Sequence, residues 1–346
     1  MARFLVLLLA AATGLAAQSP RELIDGGHYK RARAMVESPN ANDGETLYLM
    51  ATIKQAFGDL DGAQKFAERA VAANPRDAQY HYRLSDITGE MAQNASVFRQ
   101  LGLGRTFKKE CDAALAIDPN HVEALKNMMQ FHLHAPGVIG GDKTKAHGIA
   151  DQLMKLDPVE GYQAQIQIAH MEKQDSRAEE LLDKALQMSA ETYAAHLMVG
   201  GYLGGGKLKK YEEAERHARE AIRIHPDRAG AHSLLAAVLV REDKWPDLDA
   251  ALAQAAKDDP DNLYPLFRAA NNLLDRKVDL PRAERYFRKY LTQEPEAHMP
   301  NFAAAHWRLG LVLEQEGRKP DAIAEWQTAV KLDSNSQAKQ DLKRVK

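Results

Sequence analysis

The stretch AAAHWRLGLVLEQEGRKPDAIAEWQTAVKLDS, residues 303–334, decides the fold. Its first part, Ala305 to Leu313, carries apolar side chains at helical spacing, and Gly317 then supplies a turn. Beyond the turn Ala322, Trp326 and Ala329 recur at i, i+4 and i+7. Those three share one helical face, so the segment predicts a second amphipathic helix folded back on the first. A single hairpin of this size cannot cover its own apolar faces, and it needs neighbours of the same kind.

Outward from this unit the pattern recurs along nearly the whole chain. Small or apolar pairs seven residues apart stand at Ala63/Ala70, Phe107/Ala114, Ala146/Leu153, Ala178/Ala185, Ala214/Ala221, Leu248/Ala255, Ala283/Tyr290 and Ala322/Ala329. Between the partners come Ala67, Cys111, Ala150, Leu182, Ala218, Leu252, Phe287 and Trp326, completing a stripe in each case. Prolines keep the count: Pro75, Pro119, Pro158, Pro226, Pro260 and Pro295 follow one another at 44, 39, 68, 34 and 35 residues, and 68 is twice 34. A proline just past a helix end cannot continue it and biases the preceding residue out of the α region. The repeating unit is a helical hairpin of about 34 residues.

These residues resemble the tetratricopeptide repeat family. In the quoted unit Leu309-Gly310, Leu313, Gly317, Ala322, Trp326 and Ala329 stand where that family's repeat places its packing residues. Gly44 to Arg76 matches through Leu47, Ala51, Gly58, Ala63, Ala67, Ala70 and Pro75. The resemblance implies an all-α fold, an α-solenoid of about eight hairpins drawn out into an elongated, right-handed superhelix. Residues 18–335 form the expected array, with 20–40 a degenerate first hairpin and 336–346 a polar capping helix. Two units exceed the repeat length, by insertions near 94–104 and 135–142. The family usually holds peptides or partner proteins on a concave surface lined by the first helix of each hairpin. Its groove positions fall here on Tyr48, Tyr82, Lys126, Gln130, Phe267, Asn271 and Trp307. The family's clamp for C-terminal carboxylates, built from Lys, Asn and Arg at fixed positions of adjacent repeats, is not reproduced.

Composition narrows the function classes. Of 346 residues 45% are hydrophobic and 27% charged, the balance of a globular chain. Forty-six basic against 48 acidic side chains give no positive field for a phosphate backbone, so nucleic acid is not an expected partner. The lone Cys111 closes no intramolecular disulfide and supplies no Cys-rich zinc site. Residues 1–17 open with Arg3, run apolar from Phe4 to about Ala12 and end in small residues, the layout of a secretory signal peptide cut after Ala16 or Ala17. That run is too short to span a bilayer. The expectation is a soluble, exported protein of the periplasm or the extracellular space, with no stable membrane span after cleavage.

Catalytic constellations are weak. Gly201-Tyr-Leu-Gly-Gly-Gly206-Lys207-Leu208 has the outline of a phosphate loop, but Leu208 stands where magnesium needs a hydroxyl and no strand precedes it; an inter-helix turn explains the glycines. Gly137-Val-Ile-Gly-Gly-Asp142 also fails, and Asp142 reads as a helix cap. His132 and His134 are two apart, which on a helix points them to different faces unless the helix ends between them. Cys111 occupies a mid-stripe position and reads as buried. Glu212-Glu213 and Asp258-Asp259 fall at helix ends or solvent faces and read as first-turn charges and caps rather than an acid/base pair. No cofactor and no metal are expected. The sequence thus predicts a non-catalytic scaffold of the cell envelope or periplasm that holds a peptide or partner protein on its concave face. The alternative is a metal-dependent binding protein or enzyme with a site at residues 132–143.

Overall fold

In the computed structural model the described residues are 18–36, 43–93, 95–188, 191–205 and 208–345, and the expected signal peptide, residues 1–17, lies outside them. Among the described residues the regular elements are nineteen α-helices and one 3-10 turn. They pair in chain order. The first hairpin is α1 (Pro20–Gly26) with α2 (Tyr29–Val36), followed by α3 (Gly44–Ala56) with α4 (Leu60–Ala73). Next come α5 (Ala78–Gln93) with α6 (Val97–Ile117), and α7 (Val122–His134) with α8 (Lys143–Leu156). Then follow α9 (Pro158–Met171) with α10 (Asp175–Gln187), and α11 (Tyr193–Gly204) with α12 (Tyr211–Ile224). The last three hairpins are α13 (Ala229–Arg241) with α14 (Trp245–Asp258), α15 (Tyr264–Arg276) with α16 (Leu280–Tyr290), and α17 (Phe302–Gln315) with α18 (Lys319–Leu332). The closing helix α19 (Ala338–Arg344) caps the stack. The chain is an all-α solenoid.

Local chemistry sets the helix ends. Asp43, Asp59, Asp142, Asp157 and Asn301 accept backbone N–H groups of the first turns they precede, satisfying donors that a helix start leaves open. Six hairpin turns close alike, through a residue with positive φ whose successor donates back to the helix: Gly27, Gly58, Lys173, Asp243, Lys277 and Gly317. At Gly58, for example, its own N–H reaches Gln55 O at 2.8 Å and Asp59 N–H reaches Lys54 O at 2.9 Å. Lys277 repeats the pair with Leu274 O at 3.0 Å and Val278 N–H to Leu273 O at 3.1 Å. Glycine is free in this left-handed turn and lysine is not.

The stripes read from the sequence form the seam of the stack. Ala63, Ala70, Ala114, Ala146, Leu153, Ala185, Ala214, Ala221, Leu248, Ala283, Ala322, Trp326 and Ala329 are completely buried. The small residues let helices of a hairpin approach closely, and Trp326 fills the space left in the last unit, its indole N–H donating to Trp307 O at 3.2 Å. Two stripe positions depart. Leu182 is only half-buried and Leu181 takes its place in the core, while Phe107 stays half-buried and faces a cavity.

Both insertions differ from a plain loop. Residues 97–104 are the opening turns of α6, at 21 residues the longest helix among those described, so the extra length there extends a helix. Residues 135–142 form a compact loop around a 3-10 turn at Gly137–Ile139. His132 Nδ1 donates to Gly140 O at 3.1 Å, Asp142 N–H to His132 O at 3.1 Å, and the Asp142 side chain caps α8.

The expected elongated body is corrected by the first hairpin. α2 lies against the loops before α13, before α15 and after α16, so the array curves back on itself. Arg33 grips Glu294 with two bonds of 3.1 and 2.7 Å, Arg31 reaches Asp259 at 3.2 Å, and His28 Nε2 reaches Asp227 at 3.2 Å. The Lys30 backbone N–H donates to Glu296 Oε1 at 3.0 Å, and Lys30 Nζ donates to Glu294 O at 2.8 Å. Tyr29 meets the His298 ring edge-on at 5.2 Å, and His298 N–H donates to Ala56 O at 3.3 Å. Asp259, at the C-terminal cap of α14 as a helix-end charge, is 2% exposed within this clasp. Each hairpin rotates a little on its neighbour, and over the length of the array the rotations bring the first hairpin against the connections around α13, α15 and α16.

Candidate functional site

The concave side of the first hairpins encloses a cavity of about 990 Å³. Gln55 comes from α3, Asp86, Gly89, Glu90 and Gln93 from α5, and Asn127, Gln130, Phe131 and His134 from α7. The lengthened α6 adds Gln100, Gly104 and Phe107, the 135–142 loop adds Ala135, Pro136 and Ile139, and His298 closes the far side through the clasp. Polar residues of the first helices line this space because their apolar stripes are turned into the stack.

Two chemistries meet there. One wall is aromatic: the Phe107 and Phe131 rings stack 5.8 Å apart, and the absence of a side chain at Gly89 leaves the room that the Phe107 ring takes. Ile139, half exposed at 49%, extends that wall, with Val138 standing 94% exposed beside it. The other wall is acidic and amide-rich. Gln55 Nε2 donates to Asp86 Oδ2 at 2.8 Å and to Glu90 Oε2 at 3.0 Å, and Asn127 Nδ2 donates to Asp86 Oδ1 at 3.2 Å. Arg83 backs this wall, donating to Gln55 Oε1 at 2.9 Å and to Asp86 at 3.3 Å. Burial would lower its pKa, and the surrounding Tyr48, Tyr82 and Asp86 outweigh that, so the guanidinium is held more firmly protonated than usual.

Of the seven groove positions, Gln130 lines the cavity. Tyr48 and Tyr82 sit behind it, with Arg83 over both rings at 5.6 and 5.2 Å; Tyr48 is only 5% exposed and stacks on Tyr80, and burial pushes the Tyr82 phenol well above its ordinary range. Lys126 is next door, paired with Glu160 at 2.7 Å. The remaining three belong to the other half of the molecule. Phe267 is a correction: it is 7% exposed and packed between Phe287 and Tyr290, because its helix face turns into the last core cluster. Asn271 bonds to Asp275 on its own helix, and the Trp307 indole donates to Asp341 at 2.9 Å, so α19 occupies it. Gln55, Asp86, Glu90, Gln93 and Asn127 escaped the sequence reading. Their signal was a polar stripe at helical spacing, Asp86, Glu90 and Gln93, opposite the apolar one.

The candidates for chemistry disperse. His132 is buried, and that burial holds its imidazole below its ordinary pKa while its Nδ1 pins the loop; His134 is exposed at the cavity edge. Among the described residues no three His, Cys, Asp or Glu side chains are grouped so as to hold a metal. Cys111 is fully buried, donates to Ala124 O at 3.3 Å, and burial pushes its thiol up to about 12. The glycine-rich run at residues 201–208, expected as an inter-helix turn, begins inside a helix: residues 201–204 form the last turn of α11, Gly205 caps it, and Gly206 and Lys207 lie outside the described residues. No helix among the described residues is long and apolar enough to cross a membrane.

Comparison with known proteins adds the following. Residues 48–100 and 267–337 match the family model described as tetratricopeptide repeat. No curated protein sequence matches this one. Solved structures similar to the chain include yeast Tom70, at 15% identity and TM-score 0.45, with 93% of this chain and 85% of that chain covered. A human IFIT1 dimer with m7Gppp-AAAA aligns at 14% identity and TM-score 0.46, covering 93% of this chain and 78% of that one. The APC/C hetero-tetramer Cut9-Hcn1 aligns at 13% identity and TM-score 0.37, covering 92% and 66%.

Proposed function

Since the chain carries tetratricopeptide repeats, we propose that it is a non-catalytic binding scaffold that holds an extended segment of a protein partner on its concave face, centred on the cavity between α3, α5, α6 and α7. One observation carries this reading. The two units that exceed the repeat length build the cavity's rim, and Phe107, at a stripe position that all seven other units bury, faces the cavity. Side-chain amides from successive first helices supply donors and acceptors for a peptide backbone, and the aromatic wall supplies apolar contact. The acidic wall suits a phosphate backbone badly, which is why nucleic acid is not the proposed partner.

Export is part of the same proposal. The basic start, apolar run and small residues of positions 1–17 support a working protein in the periplasm or outside the cell. N-terminal sequencing of protein recovered from the envelope and from the medium tests it, and an intact Met1 in the cytoplasmic fraction overturns it.

A photo-crosslinking amino acid tests the binding reading when placed at Gln93, on the cavity side of α5, and at Lys257, on the exposed side of α14. Partner adducts that form from position 93 and not from position 257 are the expected outcome. Equal labelling from both overturns the concave-face reading.

A further inference from the structure

We infer that the segment held in this cavity carries a lysine or arginine next to a bulky apolar side chain, the basic group meeting Glu90 and the apolar one meeting Phe107, Phe131 and Ile139. This rests on the concave face being a binding groove and adds the chemical class of its occupant. The charge balance is the first ground. Asp86 and Glu90 stand one helical turn apart on α5 and both line the cavity, and the base bonded to this pair, Arg83, reaches only Asp86. Asp86 is engaged from three sides, by Gln55, Asn127 and Arg83, and works as a fixed anchor. Glu90 differs: Gln55 donates to its Oε2, and its Oε1 takes no hydrogen bond among the described residues. A carboxylate oriented by one bond, with its second oxygen open to a cavity, is placed to accept from an ammonium or guanidinium.

The second ground is independent of charge. The aromatic pair and Ile139 form an apolar surface in the same cavity as that carboxylate, with Phe107 packed against Gly89 next to it, and an exposed apolar surface of this kind in a cavity of about 990 Å³ gains from being covered. Acid and apolar surface within one cavity match neighbouring basic and apolar side chains of one bound segment. Gln93 and Gln100 line the same cavity with amides that can serve backbone N–H and C=O groups, and Gln130, whose Nε2 donates to Gln167, adds a carbonyl acceptor.

The test uses the full-length mature protein and three fluorescein-labelled dodecapeptides of one sequence, with a central Leu-Lys, Leu-Gln or Leu-Glu pair, read by fluorescence anisotropy. The expected order is Lys over Gln by about tenfold, with Glu weakest, since a charge-assisted bond exceeds a neutral one. Glu90→Gln should erase most of the Lys-over-Gln preference, and Glu90→Lys should bind the Glu peptide in preference to the Lys peptide. Phe107→Ala should weaken all three alike. Thermal melts of each variant confirm that it is folded, and the Glu90 reversal reads a gain that unfolding cannot produce. Lys and Gln peptides that bind equally overturn the assigned class and leave the groove reading standing. Binding of no peptide, together with no adduct from position 93, overturns both.

Discussion

Opening the clasp between α2 and the later loops should convert a closed array into an open one, and its size can be worked from the contacts. The perturbation is the double variant Arg31→Met, Glu294→Gln. Glu294→Gln leaves Arg33 stacked over Phe57 at 4.3 Å and removes the charge it grips. With side chains 31% and 50% exposed, that ion pair is worth about 0.5–1 kcal/mol. Arg31→Met takes a charged hydrogen bond from Asp259, whose side chain is 3% exposed; with His28 still 3.7 Å away, the loss is about 1–1.5 kcal/mol. Together the clasp loses about 2 kcal/mol, which corresponds to roughly a thirtyfold shift toward the open form. The amide of His298 reports this directly, because its N–H is bonded across the seam to Ala56 O. Hydrogen exchange at His298 should accelerate about thirtyfold in the variant, while core amides of α13 such as Leu239 keep their protection. In the wild type, raising salt from about 0.1 to about 1 M shortens the Debye length from about 10 to about 3 Å and should speed the same amide, and in the variant it should do so less. Unchanged exchange at His298 in the variant, at unchanged global stability, would refute the clasp as an electrostatic closure.

Four further outcomes follow from individual contacts. Lys277 holds φ 56 in an exposed turn where three of its five counterparts are glycine, so Lys277→Gly should raise stability by about 0.5–1 kcal/mol in a urea titration. Gly161 presses on the backbone of Met154, where α9 crosses α8, and a Cβ there would overlap Met154 Cα; Gly161→Ala should cost about 1–3 kcal/mol, seen as a lowered melting temperature. Burial raises the Glu296 carboxyl above its ordinary 4.5, so the stability linked to its protonation is complete below pH 4.5 and is lost as pH rises through the raised value. Glu296→Gln keeps an acceptor for the amides of Lys30 and Ala297 and removes that loss, so its advantage over wild type should grow from near zero below pH 4.5 upward, as read by chemical denaturation across pH. Cys111, fully buried with its thiol pushed up to about 12, should react with a thiol reagent only at the rate of unfolding, and fast labelling of native protein would contradict its placement.

The repeat itself was legible in the sequence because its causes are local. Ala322, Trp326 and Ala329 lie within two helical turns, and any helix that forms there must present them together; the same holds for the stripe at Ala214, Ala218 and Ala221. Asp142 as a cap and Cys111 as a buried thiol depend on neighbours a few residues away or on the stripe, and both were readable. The groove residues were less so. Position within a repeat names the helix face that turns inward, which served for Gln130, but whether such a residue meets the cavity, the core or the cap depends on what the next hairpins bring, and Phe267 met the core while Trp307 met α19. The closure lay further out of reach. His28 and Asp227 are 199 positions apart, and Lys30 and Glu296 are 266 apart. Their meeting sums the small rotations at every hairpin interface, including two units of irregular length. A side-chain pattern with a period of a few residues specifies each rotation only loosely, and so the sequence by itself determined the helices, their pairing and their buried faces. Tertiary structure alone decided that the array returns on itself, buries Asp259 and Glu296 and brings His298 to the cavity, because a small angular change at one interface is multiplied along the stack into the distance between its ends.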